Sequence, residues 1–271
     1  MFKESLANIN NKKVNSDDKK LKVILSTHKL CKTFSNGGMQ QHILKNLDLD
    51  IYEGDFTVIM GSSGAGKSTL MYALSGMDKP TLGKIVFNGE EISKYSDEKL
   101  AIFRRKNCGF VFQQVYLLEK MSLMDNVLLS GLLVSKDKNK IVKKAKELFE
   151  KVNINKETWN KFSSQISGGE AQRAGTVRGL INNPSILFAD EPTGALNSNN
   201  SDAVLDVLSE FNRNGQSIVM VTHDVKSALR ADRIIYLKDG SICGECILGK
   251  YIKNDEERHD KLNTFLQSMG W

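Results

Sequence analysis

The sequence predicts an α/β protein with a parallel sheet that helices cover on both faces. Residues 186–189 and 218–221 are continuous apolar runs of strand length, and residues 56–60 are apolar except for Thr57, which is typical of strands buried on both faces. Between the last two runs, helical spacing is kept by Val204, Leu205, Leu208 and Phe211. The order strand, helix, strand with fully apolar strands implies a parallel arrangement.

Length and composition favour one globular domain. The chain has 271 residues, 40% hydrophobic and 26% charged, with only three prolines, so no proline-rich linker divides it. Residues 1–22 hold six lysines and three acidic residues, a net +3 of the chain's +6. We expect a disordered polar extension there rather than a contact with nucleic acid or membrane. The sequence shows no signal-peptide pattern and no run of 18 apolar residues, so any membrane spans should come from another chain.

Local patterns predict the remaining elements. Residues 23–25 and 47–51 are predicted strands, the second with the apolar–polar alternation of a half-exposed antiparallel sheet. A helix is expected over 67–75, directly after the first apolar strand. Residues 93–174 are predicted to be mostly helical, with one helix over about 138–152.

Two features near the C-terminus have more than one interpretation. Cys243 and Cys246 have the C-x-x-C spacing of a redox pair or half a zinc site. Because no second pair and no His pair accompanies them, we expect neither chemistry. Residues 246–271 are predicted to form a C-terminal amphipathic helix, whose apolar face is made of Leu262, Phe265, Leu266 and Met269. Such a face docks a partner or packs on its own domain, and the second interpretation is favoured.

A phosphate cradle directly follows the apolar strand at 56–60. The pattern G-x-x-x-x-G-K-S/T is matched completely by Gly61, Ser62, Ser63, Gly64, Ala65, Gly66, Lys67 and Ser68. Glycines let backbone N–H groups turn toward phosphate oxygens, and the following helix points its positive end at the same anion. We expect Lys67 to neutralise the β- and γ-phosphates and Ser68 to bind Mg²⁺, with Thr69 beside them in the nucleotide site.

An acidic pair, Asp190 and Glu191, follows the apolar run at 186–189. Parallel α/β sheets bind ligands at the carboxyl ends of their strands. We therefore expect Asp190 to hold Mg²⁺ through water, and Glu191 to polarise the water that attacks the γ-phosphate.

With a third motif, these residues resemble the ATP-binding cassette of ABC transporters. Residues 166–173 read I-S-G-G-E-A-Q-R, which is similar to the family signature L-S-G-G-Q/E-x-Q-R. The resemblance covers about residues 23–245. It implies a RecA-like P-loop NTPase core with a parallel sheet, an antiparallel β subdomain, a helical signature subdomain at about 93–174, and ATP hydrolysis with Mg²⁺.

The resemblance also assigns the other site residues. Gln113 would sense Mg²⁺ and the attacking water, His223 would bond the γ-phosphate, and Phe34 would stack on adenine. A homodimer is implied, in which the ATP held by one cradle is contacted from the other copy by Ser167, Gly168, Gly169 and Glu170.

Some segments depart from the family pattern, and others indicate a branch. Asn197 stands where most relatives have Asp, which removes a charge. Residues 174–179 differ from the usual V-A-I-A-R-A, which should affect helix packing more than chemistry. Residues 109–113, 125–127 and 187–194 together look like the lipoprotein-releasing and macrolide-export branch. Within it, residues 194–198 are similar to bacitracin-type antimicrobial-peptide transporters.

This branch implies a membrane permease as partner, large and of the FtsX-like type. The permease should bind near Gln113 and residues 116–127, which places the chain at the cytoplasmic face of the cell membrane. Lysine and arginine do not line that stretch, so nucleic acid is not expected as a partner.

Two alternative functions compete with this interpretation. One is a soluble ABC ATPase acting on DNA or ribosomes, which the 100-residue spacing from Lys67 to Ser167 without sustained heptads disfavours. The other is an ATP-binding signalling module of a cell-division-type or lipoprotein-releasing complex. Glu191 and His223 argue against it, and Asn197 mildly favours it.

Overall fold

The computed structural model describes residues 22–271. Within this range the strands are β1 Val23–Asn36, β2 Met39–Tyr52, β3 Phe56–Met60, β4 Leu82–Phe87, β5 Glu90–Glu91, β6 Cys108–Phe112, β7 Ile186–Asp190, β8 Ser217–Val221, β9 Arg233–Lys238 and β10 Ser241–Ile247. The α-helices are α1 Lys67–Leu74, α2 Asp97–Asn107, α3 Leu123–Leu132, α4 Lys138–Lys151, α5 Gly168–Leu180, α6 Ser198–Arg213, α7 Val225–Ala228 and α8 Glu256–Ser268.

The central sheet has six strands in the order β10-β9-β3-β8-β7-β6. All neighbours are parallel except β9 and β10, which form an antiparallel hairpin. In β3, Val58 and Met60 belong to one core cluster and Ile59 to the other, because successive side chains point to opposite faces of a strand. Both faces of the sheet are therefore covered, and the predicted α/β fold with a parallel sheet is confirmed.

A second sheet is antiparallel, in the order β2-β1-β4-β5. In β2, Leu47, Leu49 and Ile51 are buried, whereas Asp48 is exposed. The sheet therefore has one core face, as the alternation predicts, and the antiparallel β subdomain expected from the resemblance is confirmed.

The stretch 93–174, predicted to be mostly helical, differs in two ways. Residues 108–112 form β6, an edge strand of the central sheet that pairs with β7, and α5 continues beyond 174 to Leu180. β6 is a strand because tertiary pairing with β7 outweighs the helical pattern on either side of it. Helices α2, α3 and α4 lie where helix was expected.

Two of the positions where residues 174–179 depart from the family pattern are glycines of α5 that lie close to neighbouring segments. A Cβ at Gly179 would lie 3.0 Å from the Phe110 carbonyl oxygen, and a Cβ at Gly175 would lie 2.8 Å from Cγ1 of Val115. These glycines let α5 pack closely against β6 and the segment that follows it. That the departure affects helix packing more than chemistry stays a prediction.

The C-terminal helix α8 packs on its own domain, as favoured from the sequence. Leu262 and Leu266 are buried in the core cluster that also contains β3 residues, and Phe265 and Met269 pack against it. Residues 246–247 belong to β10 rather than to the helix, which begins at Glu256.

Arg258 fixes α8 to the domain. Its side chain is 4% exposed, and its guanidinium donates to the carbonyl oxygens of Leu229 at 2.7 Å and Leu248 at 3.1 Å, as well as to that of Ala231. Since a guanidinium carries five donors in a planar fork, one side chain satisfies carbonyls from several loop positions.

Other sequence features have plain outcomes. Cys243 is exposed and Cys246 buried on β10, so the two thiols lie in different environments.

The predicted disordered extension at 1–22 lies outside the described residues except for Lys22, which forms an ion pair with Glu53 at 2.7 Å. From residue 22 to residue 271, the structure contains no helix with the length and apolarity to cross a bilayer.

We expect Arg258→Met to lower the free energy of unfolding by about 3 kcal/mol, because buried carbonyl oxygens lose a charged donor. Urea denaturation followed by circular dichroism measures the change. Lys261→Met, at an exposed position of the same helix, is the matched control and should change stability by less than about 0.5 kcal/mol. Equal stability of the two variants would contradict the anchoring role of Arg258.

Candidate functional site

Strand register aligns the site residues along one edge of the central sheet. Asp190 pairs with Val221, Val221 with Ile59, and Phe112 with Asp190. The segments that follow β3, β8, β7 and β6 therefore emerge side by side at the carboxyl edge, where parallel sheets bind ligands. Each of these segments carries a predicted site residue.

Two glycines shape the cradle between β3 and α1. A Cβ at Gly61 would lie 2.0 Å from the carbonyl oxygen of Leu237 in the neighbouring strand, so only glycine fits there. Gly66 has φ of +101° and forms the N-cap of α1, a backbone conformation that glycine adopts without strain. The loop therefore turns tightly and leads directly into the positive end of a helix.

The side chain of Lys67 turns back into the cradle loop that precedes it. Its ammonium donates to the carbonyl oxygens of Gly61 at 2.8 Å and Ser62 at 2.9 Å, and the residue is 8% exposed. Burial lowers the pKa of Lys67, while the carboxylates of Glu191 and Asp190 act in the opposite direction. A positive charge is thus held at the centre of the cradle by short contacts with its backbone.

Asp190 joins the cradle helix to β7. One carboxylate oxygen accepts from the Ser68 hydroxyl at 3.1 Å, and the other accepts from the Tyr72 hydroxyl at 3.1 Å. Burial raises the pKa of Asp190, and the two hydrogen bonds act in the opposite direction. Burial and the neighbouring Asp190 raise the pKa of Tyr72 to about 12, so its hydroxyl stays protonated and donates. The oxygens of Ser68 and Asp190 are hard donors that fit Mg²⁺.

Glu191 and His223 lie beside each other above the ends of β7 and β8. The carboxylate of Glu191 accepts a hydrogen bond from Nδ1 of His223 at 2.8 Å, and the Glu191 N–H donates to the carbonyl of Val221 at 2.9 Å. Glu191 has φ of +44°, a left-handed conformation that is uncommon for a residue other than glycine. The backbone turn aims its carboxylate away from the strand toward the imidazole.

Gln113 follows β6 at the same edge and contacts the loop after the acidic pair. A Cβ at Gly194 would lie 2.7 Å from Nε2 of Gln113, so the amide packs closely against this loop. The side chain of Gln113 is exposed, and it lies next to the segment that carries Glu191.

A cavity of about 820 Å³ lies over the cradle. It brings together the phosphate loop, the acid–imidazole pair and part of β2, with a lining of Gln41, Ile43, Ser63, Gly64, Gly66, Lys67, Ser68, Thr69, Glu191, His223 and Trp271. Phe34 does not line it. The ring of Phe34 lies 4.8 Å below the ammonium of Lys32 and is 46% exposed, although its strand partner Gln41 reaches the cavity.

The signature residues lie outside this cavity. Ser167 is the N-cap of α5, and its hydroxyl accepts from the Glu170 N–H at 3.3 Å while the Glu170 carboxylate accepts from the Ser167 N–H at 2.8 Å. This capping box leaves Ser167 and Gly168 exposed, whereas Gly169 is buried against Asn200. Asn197 caps α6 in a similar way, accepting from the Asn200 N–H at 3.1 Å.

Sequence reasoning missed four residues of the site. Tyr72 stands one helical turn after Ser68 on α1, so helical spacing could have indicated it. Gln41, Ile43 and Trp271 carry no local signal, because only tertiary packing brings them to the cavity.

Comparison with known proteins identifies the family. Residues 44–194 match the ABC transporter family. The uncharacterized ABC transporter ATP-binding protein MJ1508 of Methanocaldococcus jannaschii is 43% identical over 211 residues, which cover 78% of this chain and 94% of that protein.

Solved structures give the same result. The cassette MJ0796, dimeric in a post-hydrolysis state with ADP and Pi, has a TM-score of 0.77 and 35% identity, with 84% of this chain and all of that chain covered. CbiO1 of Clostridium perfringens, part of the transporter complex CbiONQ, has a TM-score of 0.75 and 25% identity over 92% of this chain and 98% of its own. The chain belongs to the ABC transporter family, as an ATP-binding subunit that hydrolyses ATP with Mg²⁺.

Proposed function

We propose that this subunit dimerises around Mg-ATP and drives a large permease of the FtsX-like type, in export of or resistance to antimicrobial peptides. The main support for a dimer is that the site of one chain is open on one side. The cradle, Glu191 and His223 share one cavity, whereas the signature helix presents its N-terminus elsewhere on the same chain.

The geometry supports a distinct role for each residue of the site. Lys67 would neutralise the β- and γ-phosphates from inside the loop, and Ser68 and Asp190 would hold Mg²⁺, which spreads the negative charge of the phosphates. Glu191 would accept the proton of the attacking water. His223, at 2.8 Å from that carboxylate, would orient it and bond the γ-phosphate. Gln113 would contact Mg²⁺ and the water, and would couple their presence to the position of the segment after β6.

The signature helix supports the dimer. The N-terminus of a helix attracts anions, and in α5 this end carries the exposed Ser167 and Gly168. In a head-to-tail pair, the N-terminus of α5 in one copy would cover the γ-phosphate in the cradle of the other. Loss of the γ-phosphate on hydrolysis would remove this contact and let the two copies separate.

The lobe after β6 supports a permease partner. Its exposed apolar side chains lie next to the Gln113 segment and include Tyr116, Leu118, Leu129, Leu132 and Leu133. A permease that binds there at the cytoplasmic face of the membrane would be coupled to the nucleotide through Gln113. The antimicrobial-peptide assignment rests on the similarity of residues 194–198 to the bacitracin-type transporters.

We expect Glu191→Gln to lower steady-state phosphate release at least 100-fold, because an amide does not accept the proton of the attacking water. Binding of Mg-ATP should persist, and saturating Mg-ATP should shift the variant to a dimer in size-exclusion chromatography with light scattering. Glu210→Gln, an exposed acid on α6, is the matched control. Turnover that survives Glu191→Gln would refute the assigned base, and a variant that stays monomeric with its permease present would refute the dimer.

Removing the Tyr72 hydroxyl should weaken the metal site. We expect Tyr72→Phe to raise the Mg²⁺ concentration for half-maximal ATPase activity about tenfold, because one oxygen of Asp190 loses the donor that orients it. The rate at saturating Mg²⁺ should be nearly unchanged. Tyr95→Phe, which removes a hydroxyl bonded to Glu90, should leave the Mg²⁺ dependence as it is. An unchanged dependence in Tyr72→Phe would exclude a positioning role for this hydroxyl.

The permease contact is tested on the exposed lobe. We expect Leu133→Glu to abolish co-purification with the permease and to remove the tolerance of cells to a cell-wall-directed antimicrobial peptide, while ATPase activity of the isolated chain persists. Ile252→Glu, at a position that is 65% exposed, is the control. If Leu133→Glu still co-purifies with the permease, the proposed interface is wrong. If cells that lack the wild-type subunit and its permease tolerate the peptide equally well, the proposed antimicrobial-peptide role is wrong.

A further inference from the structure

Trp271 is a residue of the nucleotide cavity that comes from outside the motifs. It follows α8 and lines the cavity together with the cradle residues Ser63 and Gly64. The residue is 44% exposed, so part of its surface is available to a ligand. Its place in the cavity depends on how α8 ends.

Helix α8 ends in a Schellman motif that fixes Trp271. The Gly270 N–H donates to the Gln267 carbonyl at 3.1 Å, and the Trp271 N–H donates to the Leu266 carbonyl at 3.0 Å, which is the bond pattern of that motif. Gly270 has φ of +82°, the left-handed conformation that the motif requires. The chain therefore reverses at Gly270 and places the indole on one side of the helix end.

Packing holds the indole in this position. Its ring meets the buried ring of Tyr236 edge to face, with centroids 6.2 Å apart. Six residues earlier, Phe265 meets Tyr236 in the same manner, with centroids 6.4 Å apart. Met269 packs on Gly244, where a Cβ would lie 2.8 Å from its sulfur. The absence of a side chain at Gly244 thus lets the helix end approach β10.

Sheet order shows which end of the cavity Trp271 occupies. Tyr236 belongs to β9, which borders β3 on the side opposite to β8 and β7. Glu191 and His223 follow β7 and β8, so the acid–imidazole pair lies on the far side of the cradle. Ile43 lies on the β9 side, where its carbonyl oxygen would be 2.2 Å from a Cβ at Gly240 in the β9–β10 turn.

We propose that Trp271 contacts the nucleoside part of the bound nucleotide within the same chain. The inference rests on the proposed function, in which the cradle holds the phosphates and the acidic pair faces the γ-phosphate. The nucleoside then extends toward the β9 side, where Trp271 and Ile43 line the cavity. An indole offers a flat face for a base and an Nε1–H donor for a ribose or phosphate oxygen.

Fluorescence of a single tryptophan tests the contact. The sequence has two tryptophans, and Trp159 is buried against Phe149 in the α4 region. In a Trp159→Phe chain that also carries Glu191→Gln, Trp271 is the only indole. We expect its emission to change on titration with Mg-ATP and with Mg-ADP, at protein concentrations where light scattering shows a monomer. The midpoint should equal the Kd from calorimetry on the same sample.

A matched chain keeps the other indole. With Trp271→Phe in the same Glu191→Gln background, only Trp159 emits, and its emission should not change in the monomer. Binding seen by calorimetry without a change in Trp271 emission would overturn the proposal while leaving the nucleotide site intact. A change that occurs only when the chain dimerises would also overturn it, since the indole would then report a second copy. Absence of any binding would refute the proposed function itself.

Affinity separates a nucleoside contact from a structural role. We expect Trp271→Ala to weaken Mg-ATP binding about tenfold and to leave the binding of inorganic tripolyphosphate, which has no nucleoside, unchanged. Trp271→Phe should retain most of the ATP affinity because it keeps an aromatic face. Equal weakening for both ligands, or none for ATP, would contradict the proposal.

Discussion

Register across the central sheet is the constraint on which the site depends. Ile59, Val221 and Asp190 stand in one row, and Phe112 continues it to the edge strand. Because side chains alternate along a strand, a slip of one residue in any pair would move a loop along the edge and exchange the faces of its strand. The apolar composition of β3, β7 and β8 fixes this register by burying both faces, so the core of the fold also positions its chemistry.

The Asp190 carboxylate links this sheet edge to the cradle. It accepts from Ser68 and Tyr72, two residues on α1, which lie 122 and 118 positions away in the chain. Lys67 adds a positive charge that Asp190 and Glu191 both stabilise. A buried cation beside two acids is acceptable in a protein interior only with such pairing and hydrogen bonding. The carboxylate of Asp190 therefore both stabilises the charge of Lys67 and holds α1 against the end of β7.

Much of the fold and site was predictable because it is locally encoded. The cradle from Gly61 to Ser68 and the acidic pair are contiguous motifs, and the strand residues 56–60 and 186–189 are wholly or almost wholly apolar. β6 was missed as a strand because its pairing with β7 is non-local. Tyr72 was within reach of helical spacing. Trp271 was not, because its place depends on a helix end packing against Tyr236, more than thirty positions earlier in the chain.

The left-handed backbone at Glu191 has a consequence for stability. A residue with a side chain held at positive φ is strained by about 1 kcal/mol or more, and glycine would relieve that strain. The domain thus retains a strained residue at the position where the proposed function places a carboxylate beside His223. Under the proposed function, selection for thermal stability alone would favour glycine at this position, whereas ATP turnover would require the acid.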